Sequence, residues 1–148
     1  MDFHTIGTQI GSDKGVAMPV ESPAGRPLYA VREGEAWKLT ENSKAEGAIP
    51  STLQVISTDS DLYRQRKERD LPALTMKDLK TGQSLTERDE RRLITCSAGV
   101  VGMNGIVWKG QMLEYSEEAV LEFLHVYRQA LDQVDVYIAD RANFFAKA

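Results

Sequence analysis

The sequence predicts an α+β fold, with a small antiparallel β-sheet or hairpin in the N-terminal part and a mainly α-helical C-terminal part. Short apolar runs separated by Pro- and Gly-containing turns favour strands in residues 16–58. Capped segments with helical apolar spacing favour helices in residues 59–148. The 148 residues are expected to form a single domain, in which residues 1–15 are a flexible arm and residues 33–51 are a loop of the β-rich part.

Two strands joined by a turn are expected at the start of the β-rich part. Apolar residues alternate from 16 to 20 and recur from 28 to 31, and both patterns favour strands. Segment 22–27 between them contains two prolines and one glycine, which is the composition of a tight turn. The pattern therefore predicts a β-hairpin, and a further apolar run at 53–56 predicts a third strand.

Residues 33–51 are mostly polar, with Trp37 and Leu39 as their strong apolar side chains. Ordering a segment that has little apolar surface to bury costs more conformational entropy than burial returns. This segment is therefore expected to be a loop, either partly disordered or held across the sheet by Trp37.

Two capping residues predict helix starts in the second part of the chain. Ser60 is expected to cap a helix that Pro72 ends, because proline cannot continue a helix. Thr86 begins a segment that resembles a capping box and predicts a helix running toward residues 100–101. A short turn is expected between them at 75–79.

Residues 106–113 are expected to form a small hairpin, or an extended loop, that leads into a final helix. Residues 116–146 contain neither Gly nor Pro, and Ser116 is a good N-cap. One straight helix over this range would measure roughly 45 Å, which exceeds the width of a compact domain of this size. A bend is therefore expected near 128–132, unless the helix projects toward another chain.

Apolar residues follow helical spacing along this final helix and form a stripe broader than a two-row coiled-coil contact. The candidate partner-binding residues in this stripe are Val120, Phe123, Leu124, Tyr127, Leu131, Val134, Ile138 and Phe144. The stripe either faces a partner or packs against the helix predicted at 86–101 and the sheet. Its periodicity leaves both interpretations open.

No group of residues in the sequence suggests catalysis or metal binding. Cys96 lies in an apolar helical setting, so we expect a small buried hydrophobe rather than a nucleophile. His4 and His125 lack the spacing of metal ligands, and His125 is expected at the surface or at the rim of the stripe. The glycines between 99 and 110 lack the Gly-Lys-Ser/Thr ending of a phosphate-binding loop. We therefore predict no catalytic residue, no cofactor and no metal, and do not expect an enzyme.

Charge and hydropathy restrict the partners further. The formal net charge is −4, which argues against general nucleic-acid binding because that requires a basic face. No window approaches the ~20 apolar residues that a membrane span needs. The N-terminal residues lack the pattern of a secretory signal peptide. Neither a nucleic acid nor a membrane is expected as a partner, and a cytoplasmic location is expected.

Three segments in this order resemble proteins of the tail assembly chaperone family of tailed bacteriophages, which are small proteins encoded in the tail gene cluster. The first is GVAMPVESPAGRPL at 15–28, and the second is LQVISTDSDLYRQ at 53–65. The third is GMNGIVWKGQMLEYSEEAVLEFL at 102–124 followed by DQVDVYIADRANFF at 132–145. The family's final signature is matched by Asp140, Arg141, Asn143 and Phe144.

The sequence departs from the family pattern in two places. The insertion at 33–49 is longer than in the family, and Met103 stands where the family has a tryptophan in its glycine loop. The largely helical fold of the family also does not account for the β-rich first part.

The resemblance implies a chaperone that binds the tape-measure protein and helps tail-tube protein assemble around it. It also implies a homo-oligomer that works in the host cytoplasm without a cofactor. The alternative is a structural virion protein, such as a minor tail or head–tail connector component.

Overall fold

The structure, a computed structural model, describes residues 15–73 and 86–144. Its fold is α+β, as predicted, with small antiparallel sheets mostly in the N-terminal half and helices toward the C-terminus. The arm expected at 1–15 falls outside the described residues except for Gly15, and the turn expected at 75–79 falls outside them entirely.

The strands of the described chain are short. They are β1 Val16–Pro19, β2 Tyr29–Glu33, β3 Ala36–Thr40, β4 Ile49–Pro50, β5 Thr52–Val55, β6 Val100–Asn104, β7 Val107–Trp108 and β8 Gln111–Met112. The α-helices are α1 Asp61–Asp70, α2 Glu87–Ala98, α3 Glu117–Val126 and α4 Arg128–Ala139. Single 3₁₀ turns follow α1 at Leu71–Ala73 and α4 at Arg141–Phe144.

The strands pair into antiparallel sheets with the orders β1-β5-β6, β3-β2-β4 and β7-β8. The first sheet is centred on β5, where Leu53 pairs with Met18 on one side and Met103 on the other. Leu53 and Met18 are fully buried, so this sheet turns one apolar face toward the helices. The core is one continuous cluster that joins this face to the apolar sides of α2, α3 and α4.

The hairpin expected between residues 16–20 and 28–31 forms only next to its turn, where Glu21 and Pro27 form an antiparallel bridge and the Leu28 amide donates to the Val20 carbonyl at 2.9 Å. The chain does turn where predicted, with the Gly25 amide donating to the Ser22 carbonyl at 2.8 Å. Beyond the turn, however, β1 pairs with β5, whereas β2 pairs with β3 and β4. A local turn fixes chain reversal but not which strands pair at long range.

The loop expected at 33–51 is also corrected, because Ala36–Thr40 is the strand β3. β2 and β3 form a hairpin around Gly34, whose φ of 64° lies in the left-handed region that glycine adopts without strain. The Trp37 amide donates to the Gly110 carbonyl at 2.7 Å, which joins β3 to the β7-β8 hairpin. The segment is therefore ordered by strand pairing and by this main-chain bond, and the anchoring of a loop by the Trp37 side chain stays a prediction.

The predicted helix caps are confirmed. The Ser60 hydroxyl accepts a hydrogen bond from the Tyr63 amide at 3.0 Å, and the Thr86 hydroxyl accepts one from the Asp89 amide at 3.3 Å. The Ser116 hydroxyl does the same for α3. These oxygens satisfy amides that a helix leaves unpaired in its first turn.

The end of α2 differs from the sequence prediction. α2 ends at Ala98, and residues 100–101 belong to β6 instead of the helix. The β-branched Val100 and Val101 suit a strand, and β6 gains its hydrogen bonds from β5. Residues 59–148 are therefore not uniformly helical, since β6, β7 and β8 lie within them.

The bend predicted near 128–132 is found one residue earlier. Tyr127 has φ −97° and ψ 81°, which is not helical, and it separates α3 from α4. The hairpin predicted at 106–113 is confirmed, with Lys109 and Gly110 at φ 52° and 77° in its turn.

Two side chains from the C-terminal part of the chain bind the main chain at the end of β1 and just beyond it. The Gln133 amide group donates to the Pro19 carbonyl at 2.6 Å and accepts from the Glu21 amide at 3.0 Å. The Tyr127 hydroxyl donates to the Glu21 carbonyl at 3.3 Å. These bonds satisfy main-chain groups at the C-terminal end of β1 and just beyond it, so this end of the strand is covered by α4 and Tyr127.

None of the helices within the described ranges combines the length and apolar character that crossing a membrane requires.

Candidate functional site

The predicted partner-binding stripe lies in the core. Tyr127 is half-buried, while the other seven candidates are each at most 3 % exposed: Val120, Phe123, Leu124, Leu131, Val134, Ile138 and Phe144. This corrects the expectation of an open apolar face on the final helix. The alternative interpretation, packing against the helix at 86–98 and the sheet, is the one that the structure shows.

The stripe is covered because the chain breaks at Tyr127. A straight helix would carry part of the stripe away from the domain, whereas the break lets both α3 and α4 pack against α2. The Phe123 and Tyr127 rings lie 5.6 Å apart at this joint. The breadth of the stripe follows from this geometry, since its two halves meet different parts of one core.

The residues that match the family's final signature close the C-terminal end of α4. The Asn143 side-chain amide donates to the Tyr137 carbonyl at 3.0 Å, and an Asp140 carboxylate oxygen accepts from the Ala142 amide at 3.0 Å. The chain then turns back and places Phe144 in the core, edge-on to Tyr137 at 6.0 Å. Asp140, Asn143 and Phe144 thus have a structural role in ending the helix.

A cleft of about 260 Å³ lies between α1, α2 and the start of α3. Each helix contributes three residues to its lining. They are Arg66, Arg69 and Asp70 from α1, Ile94, Ser97 and Ala98 from α2, and Glu117, Glu118 and Leu121 from α3.

Ile94, Ala98 and Leu121 give the cleft apolar walls, which the charged residues frame. This site could not be predicted from the sequence, because its residues come from three separate segments. The mixed charges of α1 and the acidic start of α3 were the available signals, but only the fold brings them together.

Ion pairs across one side of the cleft tie α1 to α3. The Glu117 carboxylate lies 2.9 Å from Arg69 Nη2 and 3.4 Å from Arg66 Nε. Arg69 also contacts both carboxylate oxygens of Asp70, and this hydrogen bonding lowers the pKa of Asp70 below its ordinary value. Arg66 reaches further inward and donates to the Val100 carbonyl at 2.9 Å. Both arginines are therefore engaged within the protein.

Ser97 leaves a polar atom unsatisfied beneath this cleft. Its hydroxyl oxygen is shielded from water and has no hydrogen-bond partner among the described residues. An unsatisfied buried hydroxyl costs on the order of 1–3 kcal/mol.

Two of the three titratable residues singled out in the sequence, Cys96 and His125, lie inside the protein, and His4 falls outside the described residues. Cys96 is 1 % exposed, and its burial raises the pKa of the thiol to about 12, so the thiol is protonated at neutral pH. The prediction of a buried hydrophobe is confirmed. His125, expected at the surface or rim, is only 5 % exposed, because the buried side of α3 is wide enough to include consecutive positions 123–125.

Within residues 15–73 and 86–144, no group of three or more His, Cys, Asp or Glu side chains is arranged to hold a metal ion. The cleft, with apolar walls and a charged rim, has the composition of a site for a protein segment. Comparison with known proteins adds no further guide, because no protein family, curated protein or solved structure matches this chain significantly.

Proposed function

We propose that the protein is a tail assembly chaperone of a tailed bacteriophage, which binds the tape-measure protein in the host cytoplasm and promotes assembly of the tail tube. The three segments that resemble this family support the proposal. The structural observation that carries it is the cleft between α1, α2 and α3, because the apolar stripe of α3 and α4 is used in the core.

The chemistry of the cleft suits such a client. A tape-measure protein is a long, helix-prone chain whose apolar stripes would aggregate if left exposed. A recess with walls of Ile94, Ala98 and Leu121 covers apolar side chains of a bound segment, and its charged rim excludes non-specific contacts. Several copies, bound along one client or to one another, would cover a long chain. Release then leaves the client free to accept tail-tube protein.

Co-expression with the tape-measure protein of the same phage tests this function. Wild-type protein should raise the soluble fraction of the client several-fold. Leu121→Lys places a charge on the apolar wall and should abolish this gain. Val136→Lys is the matched control, because Val136 is 74 % exposed on α4 and does not line the cleft. Circular dichroism should show that both variants remain folded.

A client that stays equally insoluble with and without the wild-type protein would refute the chaperone function. If Leu121→Lys unfolds the chain, the exposed Glu118→Arg change tests the same cleft without altering its walls.

The strand content favours a second candidate, a structural virion protein such as a minor tail or head–tail connector component. Tail assembly chaperones that the chain resembles are largely helical, whereas β1–β5 and β6–β8 here form three sheets within the described residues. The two functions differ in the finished particle, since a chaperone leaves and a structural protein stays. Immunoblotting of purified virions should detect no protein if it is a chaperone and a fixed copy number if it is structural.

A further inference from the structure

The exposed side of α3 beside the cleft is acidic. Glu114 precedes the helix, and Glu118 and Glu122 follow at four-residue intervals, all exposed. Glu118 lies in the first turn of α3, where the helix dipole favours a negative charge, whereas Glu114 and Glu122 extend the acidic row to either side of that turn. Glu122 accepts a hydrogen bond from the Trp108 indole at 3.1 Å. The Glu118 carboxylate makes no hydrogen bond or ion pair to any described residue.

Among the described residues, the cations that line the cleft already have partners. Arg66 is paired with Glu117 and the Val100 carbonyl, and Arg69 is paired with Glu117 and Asp70. Of the described charged residues that line the cleft, Glu118 is the one without a partner, and its charge is negative. Electrostatic complementarity at an interface requires the opposite sign on the partner.

The size of the cleft indicates what part of a partner enters it. Its volume of about 260 Å³ lies below the ~300–1,000 Å³ typical of small-molecule sites. Apolar walls on neighbouring helices suit instead one or two large side chains from a helix laid across them. The occupant would then present its flanking residues to the charged rim.

We propose that the cleft binds a basic amphipathic helical segment, which inserts a large aliphatic side chain between Ile94, Ala98 and Leu121 and places a Lys or Arg, one turn away, against Glu118. This inference deepens the proposed function, on which it rests for a helix-prone client. It adds that the bound segment of the client is basic and that Glu118 recognises its charge.

Two synthetic helical peptides test the charge preference. Both carry the same leucine row, and the flanking positions are lysine in one peptide and glutamate in the other. Binding of each fluorescently labelled peptide to the full chain is measured by anisotropy. The lysine peptide should bind at least about tenfold more tightly at low salt, and the difference should shrink at high salt as the charges are screened.

Two charge variants test whether the preference for the lysine peptide comes from Glu118. Glu118→Arg should lower the affinity for the lysine peptide about tenfold and remove the preference over the glutamate peptide. Glu35→Arg is the matched control, because it changes the net charge by the same amount. Glu35 is also exposed, but it does not line the cleft. It should bind both peptides as the wild type does.

Equal binding of the two peptides, or binding of neither, would overturn the inference. So would equal behaviour of Glu118→Arg and Glu35→Arg. A concentration-dependent dimer in sedimentation that Leu121→Lys dissociates would assign the cleft to a second copy instead. If the lysine peptide binds as expected but the tape-measure protein is not solubilised, the chaperone function fails and the site stands. If the client is solubilised without any charge preference, only this inference fails.

Discussion

Leu131 gives the sharpest test of whether the apolar stripe belongs to the core. Its side chain is fully buried on α4, within the cluster that joins the helices to the first sheet. Truncation of such a leucine to alanine removes buried methyl groups and leaves a cavity, which costs ~2–5 kcal/mol. Single domains are stable by only ~5–15 kcal/mol, so Leu131→Ala should remove a large part of the free energy of unfolding.

Urea unfolding followed by circular dichroism measures this loss. With an m-value near ~2 kcal/mol/M, the midpoint of Leu131→Ala should fall by ~1–2.5 M. Val136→Ala is the matched control, because Val136 lies on the same helix but is 74 % exposed. Exposed substitutions of this kind change stability by about 0.5 kcal/mol or less.

If both variants unfold at the same urea concentration and Leu131→Ala alone loses self-association or client binding, the stripe is a partner face. The packing described for α3 and α4 would then be incorrect.

Further predictions concern the turns, the thiol and the end of β1. Gly105→Ala should be clearly more destabilising than Gly34→Ala in thermal unfolding, although both glycines have positive φ. A Cβ at 105 would lie 2.6 Å from the Pro50 carbonyl oxygen, whereas a Cβ at 34 would have no atom within 4 Å. Equal losses would contradict this contact. Because burial raises the pKa of Cys96 from about 9 to about 12, the unfolded chain loses this proton first, and stability should fall as pH rises from 9 toward 12. Cys96→Ala should unfold with a smaller pH dependence over that range, and an unchanged slope would exclude the thiol as its source. Gln133→Ala should speed amide exchange at Glu21 and cost about 1 kcal/mol, whereas Gln129→Ala on the same helix should leave that amide protected.

Local signals in the sequence predicted local structure well. Ser60, Thr86 and Ser116 each cap the helix expected of them, because an N-cap needs only its own hydroxyl and an amide three residues on. The hairpin at 106–113 is local in the same sense. The fold class followed from the order of these signals along the chain.

Long-range structure could not be predicted in this way. Nothing in residues 16–20 and 28–31 indicates that β1 pairs with β5 and β2 with β3, since strand pairing depends on contacts far apart in sequence. The periodicity of the stripe identified which side of α3 and α4 is apolar. It could not show whether that side packs against the protein's own core or against a partner, because both would present an apolar surface. The cleft was missed because its three helices converge only in the folded chain.

The hydrogen bonds of Gln133 also constrain how the chain matures during synthesis. Gln133 lies 114 residues after Pro19, so the main-chain groups at the end of β1 stay uncovered until α4 has been made. At a translation rate of ~5–20 residues per second, this wait lasts several seconds or more. A nascent chain that stalls before residue 133 presents these uncovered main-chain groups to its neighbours on the polysome. Ribosome-bound intermediates of this protein are therefore expected to engage cellular holdases until the last helix emerges.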